Sequence, residues 1–321
     1  MKKISALLAC IAITLTLFSG CSHVKNAPVI GIAQYGEHDS LDNCRKGFLQ
    51  GLTDAGLKEG TDFTVDYQNA GFDDAADAQI AQTFVSNKVD LMCAIATPSA
   101  AACFAAAEGT DIPVVFVAVT DPVKAKLDSG NITGTSDKLP VDAQLEMIRL
   151  MQPDADVIGI LYTTSEPNSV SAIAEYQEKA PEYGFTIEAI GVTAQSEVTQ
   201  ATDTLISKKV DCLSNLTDNN VVGVLASILE KTNEAKIPVY GSEVTQVEKG
   251  CVAAAGIDYV ELGKKTGAIA AKILKGEAKA EEIPFESITD YSYYYNSSAL
   301  AAMSLTLPSS LSDKAIETAA K

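Results

Sequence analysis

Thr97-Pro98-Ser99 and Asn168-Ser169 put hydroxyls and free backbone N–H groups at the starts of helical stretches. The helix dipole and the unpaired donors there both favour an anion such as a carboxylate. Asp218, within Thr217-Asp218-Asn219-Asn220, and Glu243, after Ser242, offer carboxylates that can balance an ammonium group. A carboxylate binder beside an ammonium binder describes an α-amino acid. Tyr35 adds a flat apolar wall, and His38 in the loop Gln34–Ser40 is a further ligand contact. Thr120-Asp121-Pro122 is a loop of the same kind. Thr, Ser, Asp and Asn ahead of helices are also ordinary N-caps, and one residue can cap and bind together. The binding reading rests on all these loops meeting at one end of two sheets.

Catalysis has little support. The chain has only two histidines, His23 and His38. His38 beside Glu37, Asp39 and Ser40 resembles an acid/base cluster on paper, but adjacent residues rarely converge on one substrate atom. No G-x-S-x-G, P-loop, G-x-G-x-x-G or H-E-x-x-H occurs. No metal site and no cofactor are expected, because so few histidines make a zinc or manganese binder improbable. The lack of Trp, with few Phe, speaks against stacked sugar rings. The tyrosines at 291 and 293–295 read as strand packing.

The elements that must position these loops occur twice. Val29-Ile-Gly-Ile32 opens a stretch leading through Gly56 to Phe63-Thr-Val65, and Val157-Ile-Gly-Ile160 opens another leading through Gly184 to Phe185-Thr-Ile187. Each copy then reaches Lys-Val-Asp (88–90 and 209–211) and Ile-Pro (112–113 and 237–238), in each case before an apolar run. The first half predicts strands at 29–33, 63–67, 91–96 and 114–119, with helices at 42–55, 75–87 and 99–109. The second predicts strands at 157–162, 186–190, 212–216 and 239–241, with helices at 170–181, 196–207 and 221–235. Strands alternating with helices mean parallel sheets covered on both faces. The expected fold is therefore α/β, with two Rossmann-like, doubly wound lobes enclosing a cleft. The tail predicts a helix at 262–274, a strand at 291–295 and a short terminal helix, leftovers that fit a chain crossing between lobes more than once. The expected division is 29–137 plus 257–284 for the first lobe and 138–256 plus 285–321 for the second.

With 321 residues, 47% hydrophobic and 21% charged, the chain is globular and long enough for two cores. Asp and Glu number 42 against 24 Lys and Arg, with no basic cluster, so nucleic acid is not an expected partner. Lys2 and Lys3 precede an apolar run from Ile4 to Phe18, then Ser19-Gly20-Cys21. Residues 1–20 read as a secretory signal and 21–28 as a lipidated cysteine with a short tether. Cleavage with release is the alternative, since Phe18 stands where a lipobox usually has Leu. Cys44, Cys93, Cys103, Cys212 and Cys251 remain, an odd number without C-x-x-C spacing, so no disulfide framework is indicated.

Gly31-Ile-Ala-Gln34, Glu37-His38, Arg45-Lys-Gly-Phe48, Asp66-Tyr-Gln-Asn69, Ala94-Ile-Ala-Thr-Pro98, Ala118-Val-Thr-Asp-Pro122, Ser165-Glu-Pro-Asn-Ser169, Thr217-Asp-Asn219 and Gly256-Ile-Asp-Tyr259 occur in that order. Together they resemble the substrate-binding lipoproteins of an ABC transporter family typified by tryptophan- and tyrosine-binding members. The resemblance implies a type I periplasmic-binding-protein fold and delivery of a small ligand to a membrane permease. It implies ligand loops at Glu37, Thr97–Ser99, Thr120-Asp121, Asn168-Ser169 and Thr217–Asn219, and an aromatic amino acid as ligand. Family members usually have Pro and Ala where this chain has Asp39 and Ser40, an aliphatic pair where it has Tyr35-Gly36, and often Asp where it has Glu243.

The expected protein is a monomeric, extracytoplasmic receptor anchored to the cell membrane through Cys21, which binds a small molecule and hands it to an ABC permease. The alternatives are a sensory protein that signals occupancy to a receptor, or a binder of a solute that is not an amino acid. An enzyme is not expected.

Overall fold

The computed structural model describes residues 27–318. The signal segment 1–20, the proposed anchor Cys21 and His23 lie outside them.

The first half runs β1 (Val29–Gln34), α1 (Asp39–Asp54), β2 (Thr64–Asn69), α2 (Asp74–Asn87), β3 (Leu91–Ile95), α3 (Thr97–Ala107), β4 (Val114–Val117) and β5 (Ile132–Ser136). The chain then crosses to α4 (Val141–Met151), β6 (Val157–Thr163), α5 (Pro167–Lys179), β7 (Thr186–Val192), α6 (Gln195–Ser207) and β8 (Cys212–Ser214). There follow α7 (Asn219–Gly223), α8 (Leu225–Ala235), β9 (Val239–Tyr240), α9 (Val244–Glu248) and β10 (Ala253–Gly256). It returns for α10 (Tyr259–Leu274) and β11 (Glu286–Ser287), and crosses again to β12 (Ser292–Tyr295), α11 (Ser297–Ala302), α12 (Ser309–Ser312) and β13 (Ala315–Glu317).

One sheet has the order β11-β5-β4-β3-β1-β2 and another β7-β6-β8-β9, with all strands parallel. The orders β2-β1-β3-β4 and β7-β6-β8-β9 are the same, so the repeat in sequence is a repeat in topology. A third sheet, β10-β12-β13, joins the second lobe through a bridge between Gly241 and Ala254. In each half successive strands leave the first strand in opposite directions. The crevice where they diverge, at the carboxyl ends of the strands, is where such sheets bind ligands.

The central strands of the two parallel sheets are buried on both faces. Along β3, Leu91, Cys93 and Ile95 enter the core against α1 and α10, while Met92 and Ala94 enter the core against α2 and α3. Two covered faces account for the unbroken apolar runs. Helices α1 and α10 touch backbone to backbone. A Cβ on Gly47 would stand 2.1 Å from the Val260 carbonyl oxygen, and one on Gly263 would stand 2.2 Å from that of Cys44. This contact ties the helix that starts at the cleft to the helix that follows the second crossing. The remaining cysteines, Cys44, Cys93, Cys103, Cys212 and Cys251, are free and buried.

The structure corrects several expectations. Residues 221–235 form two helices, because Val224 leaves the helical region at φ −120°, ψ 24°. The last described element is a strand, β13, and not a helix. Glu286-Ser287 pair with β5, so the first lobe continues past residue 284. That edge strand is exposed and polar, which left no apolar signal to read. The strand at 132–136, the helix at 141–151 and the strand at 253–256 were not expected at all. Gly134 and the short length of Ile132–Ser136 weaken the β-pattern of the first, and Ala253–Gly256 carries no β-branched residue.

Candidate functional site

The carboxyl ends of β1, β3 and β4 face those of β6, β8 and β9 across a cleft, and a small cavity lies between them. From the first lobe come His38, Ser40, Leu41, Ala96, Ala118, Asp137 and Tyr259. From the second come Asn168, Thr217, Asn219, Val222, Glu243 and Gln246.

Direct bonds close the cleft. Ser40 Oγ donates to Glu243 Oε1 at 3.1 Å, and the Thr120 and Thr217 hydroxyls meet at 3.1 Å. His38 Nε2 lies 3.4 Å from Asn219 Oδ1. At the rim Ser171 Oγ donates to Asp121 Oδ2 at 2.9 Å, and Lys249 pairs with Asp39 at 3.1 Å. These contacts exist only while the lobes are together.

The cavity is anionic. Asp137 accepts from Thr120 Oγ1 at 2.9 Å and from the Tyr259 hydroxyl at 2.7 Å. Glu243 caps α9, accepting from the backbone N–H groups of Thr245 and Gln246. Burial leaves both carboxyls above the ordinary carboxylate range, although those donors oppose the shift. No Lys or Arg lines the cavity. Buried carboxylates without a cation are costly, so the site suits a ligand that brings a positive charge.

His38 is neutral, because burial lowers its imidazole from 6.5 to about 4. Asn219 Nδ2 donates to Glu166 Oε2 at 2.6 Å, which turns its oxygen toward His38 and assigns the proton to Nε2. His38 Nδ1 is then a bare acceptor, and it has no partner. Asn168 Oδ1 is likewise buried and unpartnered, while its Nδ2 donates to Glu166 Oε2 and the Thr217 carbonyl, both at 2.9 Å. Two free acceptors and two carboxylates give the cavity an excess of acceptors over donors. Buried polar atoms are rarely left unpaired, so a ligand rich in N–H and O–H groups fits.

Ala96 and Ala118 form the wall at the ends of β3 and β4, with φ 85° and 59°. Such backbone costs about 1–3 kcal/mol per residue and clusters at functional sites. Ala96 also precedes the first turn of α3, and Thr97 Oγ1 beside it is buried without a partner.

Of the residues singled out in the sequence, the structure brings His38, Asn168, Thr217, Asn219 and Glu243 to the cavity wall. Asp218 is fully buried, but its carboxylate caps α7 and accepts from Thr163 N and Oγ1, so it holds the loop and does not line the cavity. Ser99 Oγ is taken by both oxygens of Asp77, at 2.8 and 3.0 Å. Ser169 is buried against Asp218, and Pro98 is partly exposed at the start of α3. Thr120 reaches the site through Asp137, and Asp121 belongs to the rim. Tyr35 is buried with its hydroxyl on Asp74 at 2.8 Å and faces an outer groove, and Glu37 is exposed. Sequence reasoning missed Asp137, Tyr259 and Gln246. Asp137 sits where the chain first leaves the first lobe, in a segment not read as an element. Glu166, although outside the cavity, accepts from the backbone and side-chain amides of both Asn219 and Asn220 and thereby sets the second wall. Burial and the neighbouring Asp218 push its carboxyl up.

Residues 29–319 match the family model for ABC transporter substrate binding proteins. The chain is 36% identical over 324 residues to a tyrosine-binding protein from Clostridioides difficile (strain R20291), covering 95% of this chain and 93% of that one. It is similar to the structure of an ABC domain in complex with L-Trp from Streptococcus pneumoniae, at 31% identity and TM-score 0.86, over 91% of this chain and 99% of that one. It is also similar to the ligand-free, open structure of a substrate binding protein with adhesive properties from Clostridium difficile. There the identity is 38% but the TM-score 0.68, over 92% and 100% of the two chains. The score is thus higher against the relative with L-Trp bound than against the ligand-free, open one.

Proposed function

Because this chain belongs to the family of ABC transporter substrate binding proteins, we propose that its cleft closes on one aromatic α-amino acid, tryptophan or tyrosine. The observation that carries the reading is the anionic, acceptor-rich cavity with no cation in its wall. Asp137 and Glu243 receive the ligand's ammonium group. The first turn of α3, with the free hydroxyl of Thr97, receives its carboxylate. His38 Nδ1 or Asn168 Oδ1 then accepts from an indole N–H or a phenol O–H. Leu41, Ala96, Ala118 and Val222 give the ring an apolar bed. Two relatives point the same way, one named for tyrosine and one holding L-Trp.

The protein acts outside the cytoplasm as the receptor of an importer. Its closed form presents the ligand to a membrane permease, and its lipidated Cys21 keeps a monomer at the cell membrane. Among the described residues no helix is long and apolar enough to cross a membrane. The lobes divide at residues 136–141, 256–259 and 287–292, which act as the hinge. Binding without turnover is sufficient for this role.

Calorimetry of the chain from residue 22 onward against the common amino acids tests the reading, with tryptophan or tyrosine expected to bind. A response to a sugar or nucleoside and to no amino acid overturns it. Mass spectrometry of the full chain made in a bacterial host, compared with Cys21→Ala, tests the anchor. Identical masses at the N-terminus of the two mature proteins, apart from the substitution, overturn it.

A further inference from the structure

Beside the cavity lies an outer groove with about 890 Å³ of empty space, also between the lobes, whose walls include Tyr35, Asp73, Ser165, Gln195 and Asn220. Only a thin partition separates the two. On the second lobe it is the start of α7, where Asn219 faces the cavity and Asn220 the groove. On the first lobe it is a pair of rings: the Phe72 ring stacks parallel on the His38 imidazole at 6.2 Å, with 6° between planes. His38 lines the cavity and Phe72 lines the groove.

Phe72 is held in an unusual way. It follows Gly71, and the two have φ 65° and 64°, a left-handed pair that a phenylalanine rarely joins. Its N–H donates to the Tyr35 carbonyl at 2.8 Å, and the Tyr35 ring meets it edge-on at 6.0 Å. Glycines stand on both sides. A Cβ on Gly36 would lie 2.0 Å from the Phe72 ring, and one on Gly223, across the cleft, would lie 3.2 Å from it. The ring therefore fills the gap between lobes when they close, and it does so without lining the cavity.

We propose that Phe72 is a specificity-determining gate, which seals the cavity from the outer groove and limits the ligand to a single amino acid. The proposal rests on the amino-acid reading given above. Removing the ring takes away the support on which the His38 imidazole rests, and a turn of that imidazole joins the cavity to the groove, which makes room for a ligand longer than a single amino acid. It also removes the ring's packing against Gly223 of the second lobe, so release becomes faster.

The test measures tyrosine, tryptophan, tyrosyl-glycine and glycyl-tyrosine on the wild type, Phe72→Ala and Phe72→Leu, by calorimetry and stopped-flow fluorescence. The wild type is expected to bind the amino acid and to exclude both dipeptides. In F72A the preference for tyrosine over at least one dipeptide falls by about tenfold or more, and tyrosine dissociates faster. F72L, which keeps bulk and serves if F72A does not fold, gives a smaller change in the same direction. Wild-type binding of tyrosine or tryptophan with unchanged preference in the folded variants overturns the gate alone. A wild type that binds no amino acid overturns the amino-acid reading, and the gate with it.

Discussion

Ser40 Oγ donates to Glu243 Oε1 at 3.1 Å across the cleft, and both residues are buried in the closed protein. Ser40 lies in the first turn of α1 and Glu243 is the N-cap of α9, so each lobe offers a helix start. The bond joins two positions at which this chain departs from the usual residues of the family it resembles. A longer acidic side chain on one lobe meets a hydroxyl on the other.

That bond exists only in the closed form, so its loss acts on release. A hydrogen bond to a charged group is worth about 1.5–3 kcal/mol. Ser40→Ala is expected to weaken amino-acid binding by about tenfold, chiefly through faster dissociation. Glu243→Gln removes a proposed ammonium partner as well and is expected to cost more than Ser40→Ala. Stopped-flow dissociation measurements check both, and unchanged rates in both variants contradict the closure role.

Closure also excludes a proton from His38. Its imidazole titrates near 6.5 when hydrated and at about 4 in the closed site, where burial dominates. The closed form then binds a proton less readily than the open one. The contribution is fully present above about pH 6.5 and is lost as pH falls toward 4. Affinity is expected to drop by up to about two orders of magnitude across that window. Calorimetry from pH 7.5 to 4.5, with His38→Gln as the comparison, measures it. An equal slope in the variant assigns the effect to another group.

Much of this arrangement was legible in the chain. The doubled Val-Ile-Gly-Ile and Lys-Val-Asp patterns gave two matching sheets, because both faces of the central strands are covered and the apolar runs are long. His38, Asn168, Thr217, Asn219 and Glu243 reach the cavity wall because they follow strands, and strand ends meet at the cleft. Asp218 and Ser99 misled because a carboxylate or hydroxyl before a helix looks alike whether it faces a ligand or caps a loop. Asp137 stayed hidden because its importance comes from the crossing after β5, a three-dimensional fact. Tyr35 and Gly36 also make sense only in space, since the glycine leaves room for Phe72 from a distant loop.

Asp77 offers a test of folding independent of the ligand. It is buried between α2 and α3, and among the described residues only the Ser99 hydroxyl donates to its oxygens. Burial pushes its carboxyl from 3.8 up to about 6. The folded protein thus holds this proton more tightly than the unfolded chain does. The stabilisation is full below about pH 3.8 and lost as pH rises through 6. At neutral pH the buried charge is a burden of up to about 3 kcal/mol. Asp77→Asn is expected to raise stability by about 1 kcal/mol at pH 7.5 and little at pH 4.5. Denaturant titrations at the two pH values decide it, and an equal gain at both removes the charge from the explanation.

The sharpest expectation concerns the ligand's own donor. His38 Nδ1 and Asn168 Oδ1 are buried acceptors without partners among the described residues, and the proposed pose already gives the ammonium group to Asp137 and Glu243. Tryptophan and tyrosine each carry one further donor on the ring, and phenylalanine carries none. Filling the site with phenylalanine leaves a buried acceptor unpaired, at a cost of about 1–3 kcal/mol. Phenylalanine is therefore expected to bind roughly ten- to a hundredfold more weakly than the better of the other two. Asn168→Leu and His38→Phe identify the acceptor, because only the true partner's loss narrows that gap. Competition calorimetry with the three amino acids reads it directly. Equal affinity for all three means that neither acceptor meets the ligand's ring.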